Sequence, residues 1–280
     1  CNCFTSYSTT SFTLLMSHEN IYQHFHPDEK QFIDRVLDWM DRVENNYSVV
    51  TTYFLNPREV EILESLANKR ELQIFSTQDI AQTELTKIII APEFYQLDVA
   101  DFDIALLEIL YAKKFYQLKH SQILGSFLGQ TGIRRSELGD IILSEGRAQV
   151  FVSKHLLEIF QNNIKKIGSA SVQFVEKPFE ELIETEAASV MKVVLVSSMR
   201  IDKIIASTFE ISRNLAVNML QSRKVKLNYL EIEKKDFTVE QGDLISVRGL
   251  GRIKILRILG ETKKGKQKIE CEITKNHKKS

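Results

Sequence analysis

The sequence predicts an α+β protein of several domains, and three observations lead there. Hydrophobic periodicity switches repeatedly along the chain between the 3.6-residue spacing of helices and the two-residue spacing of strands. Residues 101–177 read in the order β-α-β-β-α-β. Charge is partitioned: 37 Lys and Arg balance 37 Asp and Glu overall, yet residues 190–280 hold about 20 cations against about 10 acids. With 280 residues, 43% of them hydrophobic, and only 4 Pro and 11 Gly, the chain has material for two or three folded cores.

The expected division is an N-terminal α/β unit at 17–98, a middle domain at 99–188 and a basic C-terminal domain at 189–280. Residues 1–16 read as a non-native or disordered extension, because the first 15 are Ser/Thr-rich, carry no charged side chain and precede Met16. Cys1 and Cys3 with His18, His24 and His26 lack the paired spacings a metal centre needs, so no metal is expected. Three cysteines make no disulfide framework and no apolar run reaches membrane-spanning length. Both point to a soluble cytoplasmic protein without a membrane partner.

From His26-Pro27-Asp28, the spacing of Phe32, Ile33, Val36, Leu37, Met40 and Val43 predicts a helix ending near Asn45-Asn46. Asp28, Glu29, Asp34, Asp38 and Asp41 fall on its solvated face. A strand over Val49–Leu55 follows, then a helix capped by Asn56-Pro57 and carrying Val60, Ile62, Leu63 and Leu66, then a strand over Leu72–Phe75. Residues Gln78 to Asp98 read as a bridge that includes a short strand, Lys87–Ile90. Asp98, Asp101 and Asp103 read as a solvated loop, since no calcium-loop glycine accompanies them.

In the middle domain the expected elements are strand Ile104–Leu110, helix Ser121–Gly129, strands Asp140–Leu143 and Ala148–Val152, helix Lys154–Ile167 and strand Ser171–Val175. This is the ferredoxin-like order, which RNA-recognition motifs share. Fold alone grants no function, and Val150-Phe151-Val152 supplies one aromatic without its basic and glycine neighbours, so Phe151 reads as core rather than as a base-stacking surface. Lys119-His120-Ser121 and Gly132-Ile133-Arg134-Arg135 admit two readings, phosphate contacts or a helix cap and an exposed turn. An acidic connector over Glu176–Ala188 leads to a strand over Val190–Val196.

In the last third, Ile201, Ile204, Ile205 and Phe209 mark a helix with Ser198 as N-cap and Asp202 in its first turn, and Arg200 and Lys203 share another face. After Phe209-Glu210-Ile211, Ser212 caps a second helix whose buried stripe is Leu215, Ala216, Met219 and Leu220. Arg213, Asn214, Asn218 and Gln221 stay outside. A helix start bearing an Arg is a natural phosphate seat. Arg223, Lys224 and Lys226 follow at once. Strands over Arg252–Ile258 and Gln267–Ile273 make Cys271 a buried thiol, and Lys263, Lys264 and Lys266 at the tip between them add a further phosphate contact. Gly249-Leu250-Gly251-Arg252 is a turn, too short for a nucleotide-binding loop.

The series Arg-x-Asp, Ser-Arg-x-x-Ala, Lys-Val-x-x-Asn and Gly-Asp-x-Ile-x-Val resembles the S-four RNA-binding domain, named after small-subunit ribosomal protein four. The resemblance implies two helices on a small bent sheet, with Arg200, Ser212, Arg213, Lys224, Lys226 and Asn228 at the RNA surface. Two positions depart from that pattern: Arg223 and Tyr229 stand where the family commonly has Gly, and an Arg in a left-handed conformation carries a strain cost.

Further matches are Ile89-Ile90-Ala91-Pro92, Leu124-Gly125, Gly132-Ile133-Arg134-Arg135, Gly139-Asp140-Ile141, Ser198-Met199-Arg200-Ile201-Asp202 and Val247-Arg248-Gly249-Leu250-Gly251-Arg252. With them, residues 17–273 resemble the bacterial YlmH family. That resemblance implies a monomeric, cofactor-free RNA-binding protein of the ribosome, bound to rRNA of the large subunit and to peptidyl-tRNA held there. It implies a role in ribosome rescue and quality control, with a link to cell division. The rival class is an RNA-modifying or aminoacylating enzyme, or a tRNA-binding accessory protein, that uses the module to recruit substrate. The signatures of pseudouridine synthases, methyltransferases and tyrosyl-tRNA synthetases are absent from the sequence, so no catalytic residue is assigned.

Overall fold

The computed structural model describes residues 22–23, 25–68, 70–183 and 189–275. Cys1, Cys3, His18 and His24, the 1–16 extension and the last five residues of the acidic connector lie outside them. The chain forms two compact units that divide between residues 185 and 186.

In the first unit, α1 (Lys30–Asn46) buries Ile33, Val36, Leu37, Met40 and Val43 against α2 (Pro57–Ala67) and a three-stranded sheet. Asn56 caps α2: its side chain accepts from the Arg58 and Glu59 N–H groups at 3.0 Å, and Glu59 reaches back to the Asn56 N–H at 2.8 Å. The sheet comprises β1 (Val50–Thr51), β2 (Gln73–Ser76) and β3 (Ile88–Ala91) in the order β1-β3-β2, with both pairings antiparallel.

Two expectations change here. The Val49–Leu55 strand keeps only Val50–Thr51 in its ladder: the Thr52 N–H still reaches the Ile88 carbonyl of β3, but Phe54 then donates to the Ser136 carbonyl at 3.0 Å and Leu55 forms an isolated pair with Thr86. The short strand expected at Lys87–Ile90 forms as β3, but it is the centre of this sheet rather than part of a bridge, with Ile88, Ile89, Ile90 and Ala91 all buried. Glu29 is a third correction to the solvated acidic face. It is buried and held bidentately by Arg58, with Nε–Oε1 at 2.7 Å and Nη2–Oε2 at 3.1 Å.

The middle domain contains β4 (Ile104–Tyr111), α3 (His120–Thr131), β5 (Leu138–Ser144), β6 (Arg147–Ser153), α4 (Leu157–Asn163), β7 (Lys166–Ile167) and β8 (Ala170–Lys177). The sheet order β5-β6-β4-β8-β7 is antiparallel throughout and reproduces the ferredoxin-like arrangement. The expected Lys154–Ile167 helix is shorter. It stops at Asn163, and Ile164 and Ile167 reach the core from extended backbone before the chain turns through Gly168 at φ 60°.

One face of this sheet, through Ala105, Leu107, Ile109, Val150 and Val152, packs on α3 and α4. The other, through Ile104, Leu106 and Phe151, packs on Phe54, Ile89, Ala91 and Phe102. Gly139 permits that close approach: a Cβ there would lie 2.7 Å from the Phe54 ring and 2.8 Å from the Phe151 Cβ.

The second unit is a six-stranded antiparallel sheet, with β9 (Ser189–Val196), β10 (Val225–Leu227), β11 (Leu230–Glu231), β12 (Leu244–Val247), β13 (Gly251–Glu261) and β14 (Gln267–Lys275) in the order β11-β10-β12-β13-β14-β9. Helices α5 (Ile201–Phe209) and α6 (Arg213–Gln221) pack on it around Ile201, Ile204, Ile205, Ala216 and Leu220. Cys271 is a buried free thiol in this core. Ser198 does not cap α5; Arg200 occupies the N-cap position. Leu215, expected in the buried stripe, is 46% exposed.

Candidate nucleic-acid interface

The basic face of the second unit is organised by an acid. Asp202, in the first turn of α5, is 0% exposed and receives both arginines of the helix pair. Arg200 donates from Nε to Oδ1 at 3.1 Å and from Nη2 to Oδ2 at 3.2 Å, while Arg213 donates from Nε to Oδ2 at 2.8 Å. Burial by itself raises the Asp202 pKa, but the hydrogen bonds and charges of Arg200 and Arg213 outweigh it and hold the carboxyl below its ordinary value. One negative charge therefore fixes two positive ones, and the terminal guanidinium nitrogens of Arg213 remain as donors.

Backbone pairing pins the segment around Arg200, with Ile201 N–H on the Phe237 carbonyl at 2.9 Å and Val239 N–H on the Met199 carbonyl at 2.8 Å. Ser212 caps α6 as expected, accepting the Leu215 N–H at 3.2 Å. Arg213 and Asn214 are exposed in the first turn, where the helix dipole favours an anion. Lys203 is half-buried on α5.

The end of α6 explains the departure at Arg223. The Arg223 N–H bonds to the Leu220 carbonyl and the Lys224 N–H to the Met219 carbonyl, each at 3.0 Å, which is the Schellman closure that normally uses glycine. Arg223 adopts φ 54° to make it, and its Nε pairs with Glu233 at 2.7 Å. The turn is kept and the strain accepted. Tyr229 likewise stands at φ 70°.

The remaining sequence-assigned residues separate. Lys224 and Lys226 are exposed around β10, with Glu231 directly opposite Lys226. Asn228 spends its side chain internally, donating to Asp243 at 2.7 Å and accepting the Leu244 N–H at 2.9 Å, so it fastens the turn to β12. Lys263, Lys264 and Lys266 are exposed beyond the far end of β13. Eleven residues of strand put that tip about 30 Å from Gly251, which pairs with Val247 beside Lys224. The structure thus gives two basic regions rather than one.

Two residues were missed in the sequence. Asp202 positions the arginines, a role the Arg-x-Asp spacing could have signalled. Arg248 is exposed, and its N–H bonds to the Lys224 carbonyl at 2.8 Å, extending the Lys224 region.

The middle domain does not offer the sheet surface that RNA-recognition motifs use. Phe151 is 3% exposed and stacks on Phe179 at 6.1 Å between ring centroids, while buried Gln149 on the same face bonds to the Glu181 carbonyl and the Ile183 N–H. Lys119 is the N-cap residue of α3. Arg134 is largely exposed, and Arg135, also exposed, turns one guanidinium nitrogen back onto the Leu138 carbonyl. Asp103 is not simply solvated: it pairs with Lys87 at 3.4 Å and with His155, while Asp98 accepts the Ala100 N–H at 2.9 Å. Among the described residues no group of His, Cys, Asp and Glu is arranged to hold a metal, and no helix is long and apolar enough to cross a membrane.

A helix pair that holds two arginines on one acid, set on an antiparallel sheet with a glycine-like turn after the second helix, defines an S4-type RNA-binding module. Residues 199–245 match the S4 domain family model. Residues 98–181 match the model described as "Putative RNA-binding domain in YlmH", and residues 28–95 the one described as "YlmH, N-terminal". The chain is 31% identical over 253 residues to "Ribosome-associated protein quality control protein P2" of Bacillus subtilis (strain 168), across 90% of this chain and 98% of that one. It also resembles the solved structure "Cell division protein ylmH from Streptococcus pneumoniae", at 37% identity and a TM-score of 0.53, over 58% of this chain and 99% of that chain. The chain belongs to the YlmH family.

Proposed function

We propose that this chain is a non-catalytic RNA-binding protein of the ribosome that docks its S4 module on large-subunit rRNA, through phosphate contacts, in ribosome-associated quality control. The observation that carries the reading is the Arg200–Asp202–Arg213 cluster, which joins the start of α5 to the start of α6. Side chains fixed before RNA arrives lower the ordering cost of binding, and the arginine fork matches phosphate geometry.

The name of the B. subtilis relative supports carrying the ribosome to this chain as its partner, because the match spans nearly the whole of both proteins. Peptidyl-tRNA retained on the large subunit belongs to the same proposal, and the name of the S. pneumoniae relative supports a link to cell division. The non-catalytic reading is supported by Asp202: a buried carboxylate committed to two arginines is withheld from attack on a base.

Sedimentation of the full chain with separated ribosomal subunits, followed by crosslink mapping, tests this. The expected result is co-sedimentation with the large subunit and crosslinks from residues 200–268 to rRNA. Recovery only with the small subunit or with free tRNA contradicts it.

A further inference from the structure

We propose a second RNA contact in the first unit: the loop between β4 and α3 stacks an unpaired base on Phe115 and holds the flanking phosphates with Lys113, Lys114 and Lys119. This deepens the RNA-binding reading above and rests on it.

Phe115 is 82% exposed, the most exposed large hydrophobic side chain among the described residues. The loop holds it out on ordered backbone. Lys113 N–H bonds to the Tyr111 carbonyl at 2.8 Å, and the Phe115 and Tyr116 N–H groups share the Ala112 carbonyl at 3.0 and 3.1 Å. Leu118 is buried in the core below, and the Lys119 N–H is closed by Gln122 Oε1 at 3.0 Å. A turn anchored on both sides thus presents a bare ring beside the exposed ring of Tyr116.

The charge around the ring selects the ligand. Tyr111 to Ser121, Tyr-Ala-Lys-Lys-Phe-Tyr-Gln-Leu-Lys-His-Ser, contains no acidic residue. Among the described residues no ion pair holds Lys113, Lys114 or Lys119. Lys113 is braced instead: its side chain lies over Gly146, where a Cβ would meet Lys113 Cδ at 3.0 Å. Glu145, next to Gly146 in that hairpin, is exposed and outside the acid-free stretch. The other strongly exposed aromatic pair, Tyr47 and Phe94 with centroids 6.1 Å apart, has Glu44 and Glu93 beside it in sequence and lacks this character.

Aromatic faces interleaved with free cations are how proteins hold single-stranded nucleic acid, the ring taking the base and the cations the backbone. The 12-residue helix α3 begins at His120, so its dipole adds to the attraction for phosphate. With the sheet face of the middle domain covered, an exposed ring for an unpaired base has to come from a loop, and Phe115 supplies one.

The test uses the full chain, a short unstructured RNA carrying a fluorescent adenine analogue, and a fully paired RNA. Phe115→Leu should weaken binding of the unstructured RNA about tenfold and remove the fluorescence quenching that stacking produces, with duplex affinity unchanged. Phe115→Tyr should retain both. Replacing Lys113 and Lys114 by Gln should flatten the salt dependence for the single strand by about 1.4. If Phe115→Leu binds the unstructured RNA like the wild type while Arg213→Ala weakens RNA binding, the loop contact is wrong and the S4 reading stands. If the wild type binds neither RNA, the underlying reading fails. If Phe115→Leu loses only a protein partner, the loop is a protein-docking site and the proposal is overturned.

Discussion

Replacing Asp202 by Asn keeps the size of the side chain and removes the charge that gathers Arg200 and Arg213. The wild-type carboxylate accepts three hydrogen bonds from the two guanidinium groups while fully buried. Hydrogen bonds to charged groups contribute about 1.5–3 kcal/mol. Both arginines reach solvent and recover water when released, so the net loss expected is about 2 kcal/mol rather than the sum.

Hydrogen exchange reads this locally. Amides of α5 and α6 should exchange about 30-fold faster in Asp202→Asn, with the first unit unchanged. RNA affinity should fall as well, because the arginines lose their fixed geometry although the net positive charge rises by one. The pH dependence has a definite sign. Because the folded pKa of Asp202 lies below its unfolded value, the unfolded chain takes up the proton first as pH falls. The stabilisation is present above the unfolded value of about 4 and is lost as pH drops through the folded pKa. Asp202→Asn should lack this acid-dependent loss. Wild-type protection and affinity in the variant would refute the idea that this acid builds the site.

Three further outcomes follow from local geometry. Arg223→Gly should stabilise the second unit by up to about 1 kcal/mol by relieving a left-handed residue at a Schellman turn, yet weaken RNA binding, a separation that denaturation and titration would reveal together. Gly139→Ala should destabilise the first unit by about 1–3 kcal/mol, measured by thermal unfolding, because the added methyl meets the Phe54 ring and Phe151. Cys271, whose pKa burial and then the Glu270 charge push up to about 11, should resist alkylation at mildly alkaline pH in the native protein and react on unfolding, as peptide mass spectrometry would record.

The parts legible in the sequence were those with strong local signals. The stripes of α1 and α5, the Asn56-Pro57 cap, the Ser212 cap and the β-α-β-β-α-β order all express short-range physics. What could not be read was set by distant partners. The apolar run Ile88–Ala91 was legible as a short strand, but its place at the centre of a sheet shows only once β1 and β2 pair with it. Phe151 gave the right reading as core, but nothing in its local pattern says that Phe54 and Phe179 close the sheet face over it. At the site, the helix start and the arginines were visible, whereas the bond from Arg213 to Asp202, eleven residues earlier, depends on how α5 and α6 pack. The tip lysines looked continuous with the other cations because sequence order hides the length of β13.

In the proposed docking mode Arg213 and Arg223 meet phosphates. The most direct measurement is the affinity of Arg213→Ala/Arg223→Ala for structured RNA across a series of salt concentrations. The expected result is weaker binding to every RNA sequence and a logarithmic salt slope flatter by about 1.8, one counterion-release increment for each arginine. Affinity and slope equal to those of the unsubstituted protein would contradict it.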